Sequence, residues 1–133
     1  MIVSDTNLIG YFFIKGDFTD TAQAVFKKDA AWIAPLLWRS EFRNVLALYM
    51  RKKFLSFPQA LDLMGEAEFL MSGMEYSVPS STVLGLAADS RCSAYDCEFV
   101  ALAQELNVML VTSDSLILEE FPALAVHISK YAT

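Results

Sequence analysis

Val108-Met109-Leu110-Val111-Thr112, followed at once by Ser113-Asp114, is the clearest strand in the chain. A short apolar, β-branched run closed by polar residues is the signature of a strand buried within a sheet. The same pattern stands at the amino end, where Ile2-Val3-Ser4 leads directly into Asp5. Trp32-Ile33-Ala34, stopped by Pro35, is a second strand in chain order; Glu75 to Val78 and Ala125 to Ile128 read as two more. Between them lie helical patterns. Strands alternating with helices imply parallel pairing, and therefore an α/β chain: a three-layer α/β/α sandwich around a central parallel β-sheet. Sites in such sheets form beyond the carboxyl ends of the strands. Asp5 and Asp114 both occupy that place.

The helices follow from apolar stripes and their ends. Thr6 to Lys15 is capped by Asp5 or Thr6 and carries Leu8, Ile9, Phe12 and Phe13 on one face, with Gly16 at its exit. Thr19 to Lys28 turns Ala22, Val25 and Phe26 inward. Trp38 to Phe54 presents Phe42, Val45, Leu46 and Tyr49 at helical spacing and ends in Arg51-Lys52-Lys53, favourable at the negative end of its dipole. Pro58 opens a helix to about Met71, since proline fits the first turn. Ser80 or Ser81 caps one to about Ser90, Tyr95 to Leu106 forms the next, and Ser115 to Phe121 a short last turn.

At 133 residues the chain fits one domain spanning 1–133, and at 55% hydrophobic and 13% aromatic it can fill a core without a disulfide or structural metal. No apolar run is long enough for a membrane span. No basic segment precedes an apolar stretch at the start, so a cytoplasmic chain without a secretory signal is expected. Cys92 and Cys97, five positions apart, match neither CxxC nor a four-ligand zinc pattern and read as reduced thiols. His127 has no HExxH neighbour, and there is no GxSxG elbow, P-loop or GxGxxG.

Four acids carry the chemistry: Asp5, Glu41, Asp96 and Asp114. Carboxylates gathered in one place repel unless cations hold them together, and Mg²⁺ and Mn²⁺ take such oxygen ligands. Each acid alone has a plain alternative: a helix cap for Asp5 and Asp96, a solvated helix residue for Glu41, a turn residue for Asp114. Together they are more specific. The net charge of −6 argues against a simple nucleic-acid binder. Yet setting aside the four leaves twelve acids against ten basic residues, and bound cations would reverse the field where substrate sits.

Asp5-Thr6-Asn7, Glu41-Phe42-Arg43-Asn44, Arg91-Cys92-Ser93-Ala94-Tyr95-Asp96 with Ala101-Leu102-Ala103, and Thr112-Ser113-Asp114 resemble the PIN domain, and more closely the VapC-type toxins of prokaryotic toxin–antitoxin pairs. The resemblance spans nearly the whole chain. It departs at Cys97-Glu98-Phe99, where the family often has tyrosine at the third place, and Glu98 adds a carboxylate that reads as an accessory ligand or, preferably, as a solvated residue. The resemblance implies divalent-metal-dependent RNA hydrolysis leaving a 3′-hydroxyl and a 5′-phosphate. Asp5, Glu41, Asp96 and Asp114 would be both catalytic and metal-binding, around one or two Mg²⁺, with Mn²⁺ as a substitute. Asn7, Asn44 and Thr112 suit hydrogen bonds that orient those carboxylates.

Arg39, Arg43 and Arg91 are candidate contacts to substrate phosphates, against the alternative of a solvated, salt-bridged surface. The partners implied are RNA (a tRNA or an rRNA loop), a second copy of the chain, and a cognate antitoxin whose carboxyl-terminal segment wraps it; no membrane is expected. Two other readings stand beside the toxin: a PIN nuclease of RNA processing, and a non-catalytic Mg²⁺-binding α/β module that engages a partner.

Overall fold

The computed structural model describes residues 1–133. The elements in chain order are β1 (Ile2–Ser4), α1 (Thr6–Phe13), α2 (Thr19–Lys28), β2 (Trp32–Pro35), α3 (Leu37–Arg51), α4 (Phe57–Leu70), β3 (Glu75–Tyr76), α5 (Ser80–Ala88), α6 (Ala94–Leu106), β4 (Leu110–Thr112), α7 (Ser115–Glu120), β5 (Ala125–His127) and α8 (Ile128–Tyr131). The strands form one five-stranded sheet in the order β3-β2-β1-β4-β5, and every pairing is parallel. Parallel strands need crossovers, and the helices between them supply these on both faces. This is the α/β sandwich that alternating strands and helices imply.

The order reverses between β1 and β4. The chain moves outward from β1 through β2 to β3, then returns and continues from β4 to β5. Such a switch point opens a crevice at the carboxyl ends of the two strands that flank it. Val3 pairs with Leu110 and Ser4 with Val111, so β4 runs one residue past the end of β1. The residues that follow them, Asp5 and Asp114, are thereby brought to the same rim.

The buried apolar residues form one contiguous cluster, with Trp32, Trp38 and Phe42 fully enclosed. Phe12, Phe26 and Trp32 meet with ring centroids 5.0–5.5 Å apart between α1, α2 and β2. Burial of this kind contributes about 25 cal/mol for each Å² of apolar surface removed from water, the main term that holds α1 and α3 against the sheet.

Several boundaries differ from the sequence reading. The third helix stops at Arg51 because Lys53 takes a left-handed conformation (φ 60°), so Phe54 lies outside it. Pro35 closes β2 from within, paired in register with Tyr76. The β3 strand is only Glu75–Tyr76. Ser56 and Gln59 build a reciprocal capping box at the start of α4, one turn ahead of its buried Ala60 and Met64. The chain after β5 forms the short helix α8, capped by the ring of His127, so the expected strand ends at His127 and Ile128 opens a helix instead. Cys92 and Cys97 are free and buried on either side of the Ser93 cap of α6. No helix is long and apolar enough to cross a membrane.

Candidate metal and catalytic site

Asp5 is the N-cap of α1: its Oδ1 accepts from the Leu8 backbone N–H at 2.8 Å. Its Oδ2 accepts from the Thr112 hydroxyl at 2.6 Å and from the Ser113 backbone N–H at 3.1 Å. Asp114 is the N-cap of α7, with Oδ1 accepting from Ile117 N–H at 2.8 Å. The Thr112 hydroxyl also accepts from the Asp114 backbone N–H at 3.0 Å. One buried hydroxyl therefore ties the acid after β1 to the acid after β4. For Asp5 and Asp114, capping and membership of the cluster are both true: each cap uses Oδ1, while Oδ2 is held by Thr112 and Ser113 in Asp5 and is without a protein donor in Asp114.

Glu41 reaches the same place from α3 and Asp96 from the first turn of α6. The Glu41 Oε1 accepts from the Thr6 hydroxyl at 2.7 Å. Asp96 is not the cap of its helix; Ser93 is, accepting from the Asp96 backbone N–H at 3.1 Å, so the Asp96 carboxylate is not needed at the helix end. The four acids line one pocket of about 280 Å³, together with Asn7, Asn44 and Thr112. No lysine or arginine lines it.

The charge on this pocket has a clear cost. Burial raises the Asp5 carboxyl above its ordinary range, and the nearby Asp114 adds to the rise, while the hydrogen bonds from Thr112, Leu8 and Ser113 oppose it. Burial likewise raises Glu41, with the charges of Asp96, Asp5 and Glu98 pushing the same way. Asp96 is raised by burial and then by Asp114. Carboxylates that desolvate and repel one another in this way suit a hard cation. As the side chains stand, no three acids, histidines or cysteines are arranged to hold a metal ion. Mg²⁺ does not require such a cage, because it keeps several waters and binds through one or two carboxylates. The donor set therefore fits Mg²⁺ or Mn²⁺ in number and chemistry.

The remaining expected residues fall on both sides of the pocket wall. Thr112 hydrogen-bonds a carboxylate. Asn7 lines the pocket but gives its amide to the Ser113 hydroxyl at 3.1 Å rather than to an acid. Asn44 lines it from an exposed position on α3.

Arg39 is not in the pocket. Its guanidinium is committed to Glu75, at 2.7 Å from Nη2 to Oε1, and to Glu68 at 3.3 Å, which fastens α3 to β3 and α4. Arg91 pairs with Glu119 and Glu120. Three nitrogens of Arg39 are thereby engaged by carboxylates, whereas Arg91 is largely exposed and makes only surface pairs. Arg43 is exposed and lies outside the pocket lining.

Thr6 and Ser113 are participants the sequence reading did not single out. Once Asp5 takes the cap, Thr6 becomes the first helical residue with its hydroxyl unclaimed, a signal already present in the Asp5-Thr6 pair. Glu98 lies near enough to raise Glu41 but lines a separate cleft with Leu36, Tyr76 and Val83.

Neither a family model nor a curated protein sequence matches the chain. Solved structures share its fold. FitAcB from Neisseria gonorrhoeae superposes with a TM-score of 0.76 at 15% identity, covering 96% of this chain and 98% of that one. FitAB bound to an IR36 DNA fragment superposes at 0.73 and 16% identity, covering 97% and 96%. The likeness establishes a shared arrangement of strands and helices over essentially the whole length.

Proposed function

We propose that the chain is a divalent-metal-dependent endoribonuclease that serves as the toxin of a toxin–antitoxin pair. The observation that carries the activity is the convergence of Asp5, Glu41, Asp96 and Asp114 on one pocket with no basic side chain in its lining. Without a cation this pocket would repel a phosphodiester. Bound Mg²⁺ or Mn²⁺, one ion or two, would supply charge neutralisation and activation of water for in-line attack. Phosphoryl transfer asks mainly for positioning and electrostatic stabilisation, so no covalent nucleophile is needed.

The protein's own part is to hold the acids ready. Asp5 is fixed by three donors, two on Oδ2 and one on Oδ1, which leaves a lone pair on Oδ1 for a further ligand. Thr6 steadies one oxygen of Glu41 and leaves Oε2 open. Capping orients Asp114 and leaves its Oδ2 open. A hydrogen-bonded carboxylate loses less freedom when it coordinates, which raises affinity for the ion.

The toxin role is supported by the sequence resemblance and by the shared fold with FitAcB. The neighbour solved as FitAB on DNA is an assembly, which accords with a chain that works beside a DNA-binding partner. A homodimer and a cognate antitoxin are parts of the same proposal, as is a tRNA or rRNA substrate met in the cytoplasm.

The test is direct. Purified protein with Mn²⁺ should cut RNA to 5′-phosphate ends, and EDTA or Asp5→Asn should abolish the cutting. Calorimetric binding of Mn²⁺ with no cleavage of any RNA offered would replace the nuclease by a metal-binding partner module. Cleavage with no toxicity on expression and no co-purifying small partner would replace the toxin by a processing nuclease.

A further inference from the structure

We infer that the groove adjoining the carboxylate pocket seats the unpaired nucleotide next to the scissile phosphate of an RNA strand, with Tyr11, Phe18 and Tyr49 as its stacking surfaces and Lys15 as its phosphate contact. The inference rests on the nuclease reading and adds where, and in what form, the substrate is held.

A second hollow of about 400 Å³ shares Thr6, Asn7 and Val45 with the acidic pocket. The two hollows adjoin, with the first turn of α1 and Val45 of α3 lining both. An occupant of the acidic pocket that continues as a polymer on that side emerges here. Tyr11 and Phe18 stand side by side on one wall with centroids 4.9 Å apart, and Tyr49 lines it from α3. Phe18 is 57% exposed, so its ring is not spent on the core. Isolated exposed phenylalanines are common on protein surfaces. This one is paired with a second aromatic ring, inside a hollow, beside the acids.

Lys15 and Asp17 are the charged residues lining this compartment, and Lys15 takes part in no ion pair. Arg39 and Arg91, by contrast, are held by carboxylates. Lys15 is thus the one cation lining either compartment and it is available for a phosphate. Aromatic faces that accept any base, a neighbouring cation and continuity with a phosphodiester-cutting pocket are the parts from which single-strand grooves are built. A base can enter only when unpaired, because its faces and edge are otherwise occupied within the duplex. An apolar peptide would find rings here but would leave Lys15 without a counter-charge.

The test uses a single-stranded RNA oligomer carrying 2-aminopurine, with Ca²⁺ in place of Mn²⁺ so that binding is read without turnover. Binding should alter the 2-aminopurine fluorescence as the base stacks. Phe18→Ser and Tyr49→Ala should each weaken binding about tenfold. Lys15→Gln should reduce the slope of log affinity on log salt by about 0.7, the share of one single-strand phosphate. Phe69→Ser, at a remote and 86% exposed site, should leave affinity unchanged, and circular dichroism confirms that each variant folds.

Wild-type affinity in the Phe18, Tyr49 and Lys15 variants overturns the groove, as does equal binding of a blunt duplex. Variants that keep their RNA affinity but lose a protein partner overturn it too, in favour of a peptide site. The two readings fail separately. Groove-dependent binding without cleavage in Mn²⁺ sinks the nuclease and supports the groove; cleavage with the same KM in all three variants does the reverse.

Discussion

Replacing Thr112 by valine tests whether one hydroxyl holds the two strand-end acids together. Thr112 is fully buried at the end of β4, donates to Asp5 at 2.6 Å and accepts from the Asp114 backbone at 3.0 Å. Valine keeps the shape and removes both bonds. The bond to an ionised carboxylate is worth about 1.5–3 kcal/mol, and a backbone N–H left without its acceptor costs about 1–3 kcal/mol more. The Asp114 N–H is only partly buried and can recruit water, so the lower end applies to it, and a loss of about 3 kcal/mol is expected at neutral pH. Against a typical domain stability of about 5–15 kcal/mol the variant still folds.

The pH dependence of that loss is the sharper test. The Thr112 bond lowers the Asp5 carboxyl within a site that otherwise raises it. In the variant the carboxyl rises further. A group whose folded value lies above its unfolded value favours the folded state in acid and loses that contribution as pH climbs through the folded value. The gap between wild type and variant should therefore be widest at neutral pH and narrow in acid, where Asp5 is protonated in both. Urea unfolding across that range, without divalent ions, measures it. Thr112→Ser, which restores the hydroxyl, should recover most of the loss. A loss below about 0.5 kcal/mol at neutral pH, or one that grows in acid, would refute the assigned role.

Glu41→Gln keeps an oxygen for Thr6 and removes one charge from a site that raises it, so it should stabilise the ion-free protein at neutral pH while abolishing the Tm increase produced by Mn²⁺; a destabilised variant would speak against crowded carboxylates. Glu75→Gln should cost about 1–2 kcal/mol at neutral pH through its bonds to Arg39 and Trp38. Because the partner guanidinium lowers the Glu75 carboxyl, that cost should vanish as pH falls through the depressed value, as read by urea unfolding. Ser93→Ala removes the cap of α6 and should cost about 1 kcal/mol of stability, together with weaker Mn²⁺ binding measured by calorimetry, since Asp96 lies in the uncapped turn.

The fold was legible because its strands are short apolar runs with abrupt polar ends. Period and punctuation mark such runs wherever the chain is buried on both sides. Thr19–Lys28 has the bounds the sequence implies, since the stripe of Ala22 and Val25 leaves little choice. Ends set by a single backbone angle were not legible: nothing in Arg51-Lys52-Lys53 announces the left-handed Lys53 that stops α3. The acids were legible as a set because two follow strands. Their meeting with Glu41 and Asp96 depends on how α3 and α6 pack, which no local pattern encodes. The place of Arg39 was not legible for the same reason. Arg39 lies two residues from Glu41 in sequence, but adjacent helix positions face different ways, and its neighbours in space are Glu75 and Glu68.

Two jaws of unequal stiffness meet in this pocket. Asp5 and Asp114 grow from adjoining central strands whose ladder fixes their spacing, and Asp5 is itself pinned by a backbone bond from its N–H to Val111. Glu41 and Asp96 ride on separate helices. An ion gripped between the fixed and the sliding jaw would therefore act as a rivet through the layers. Amide exchange should slow in α3 and α6 when it is seated, and stay almost unaltered in β1 and β4.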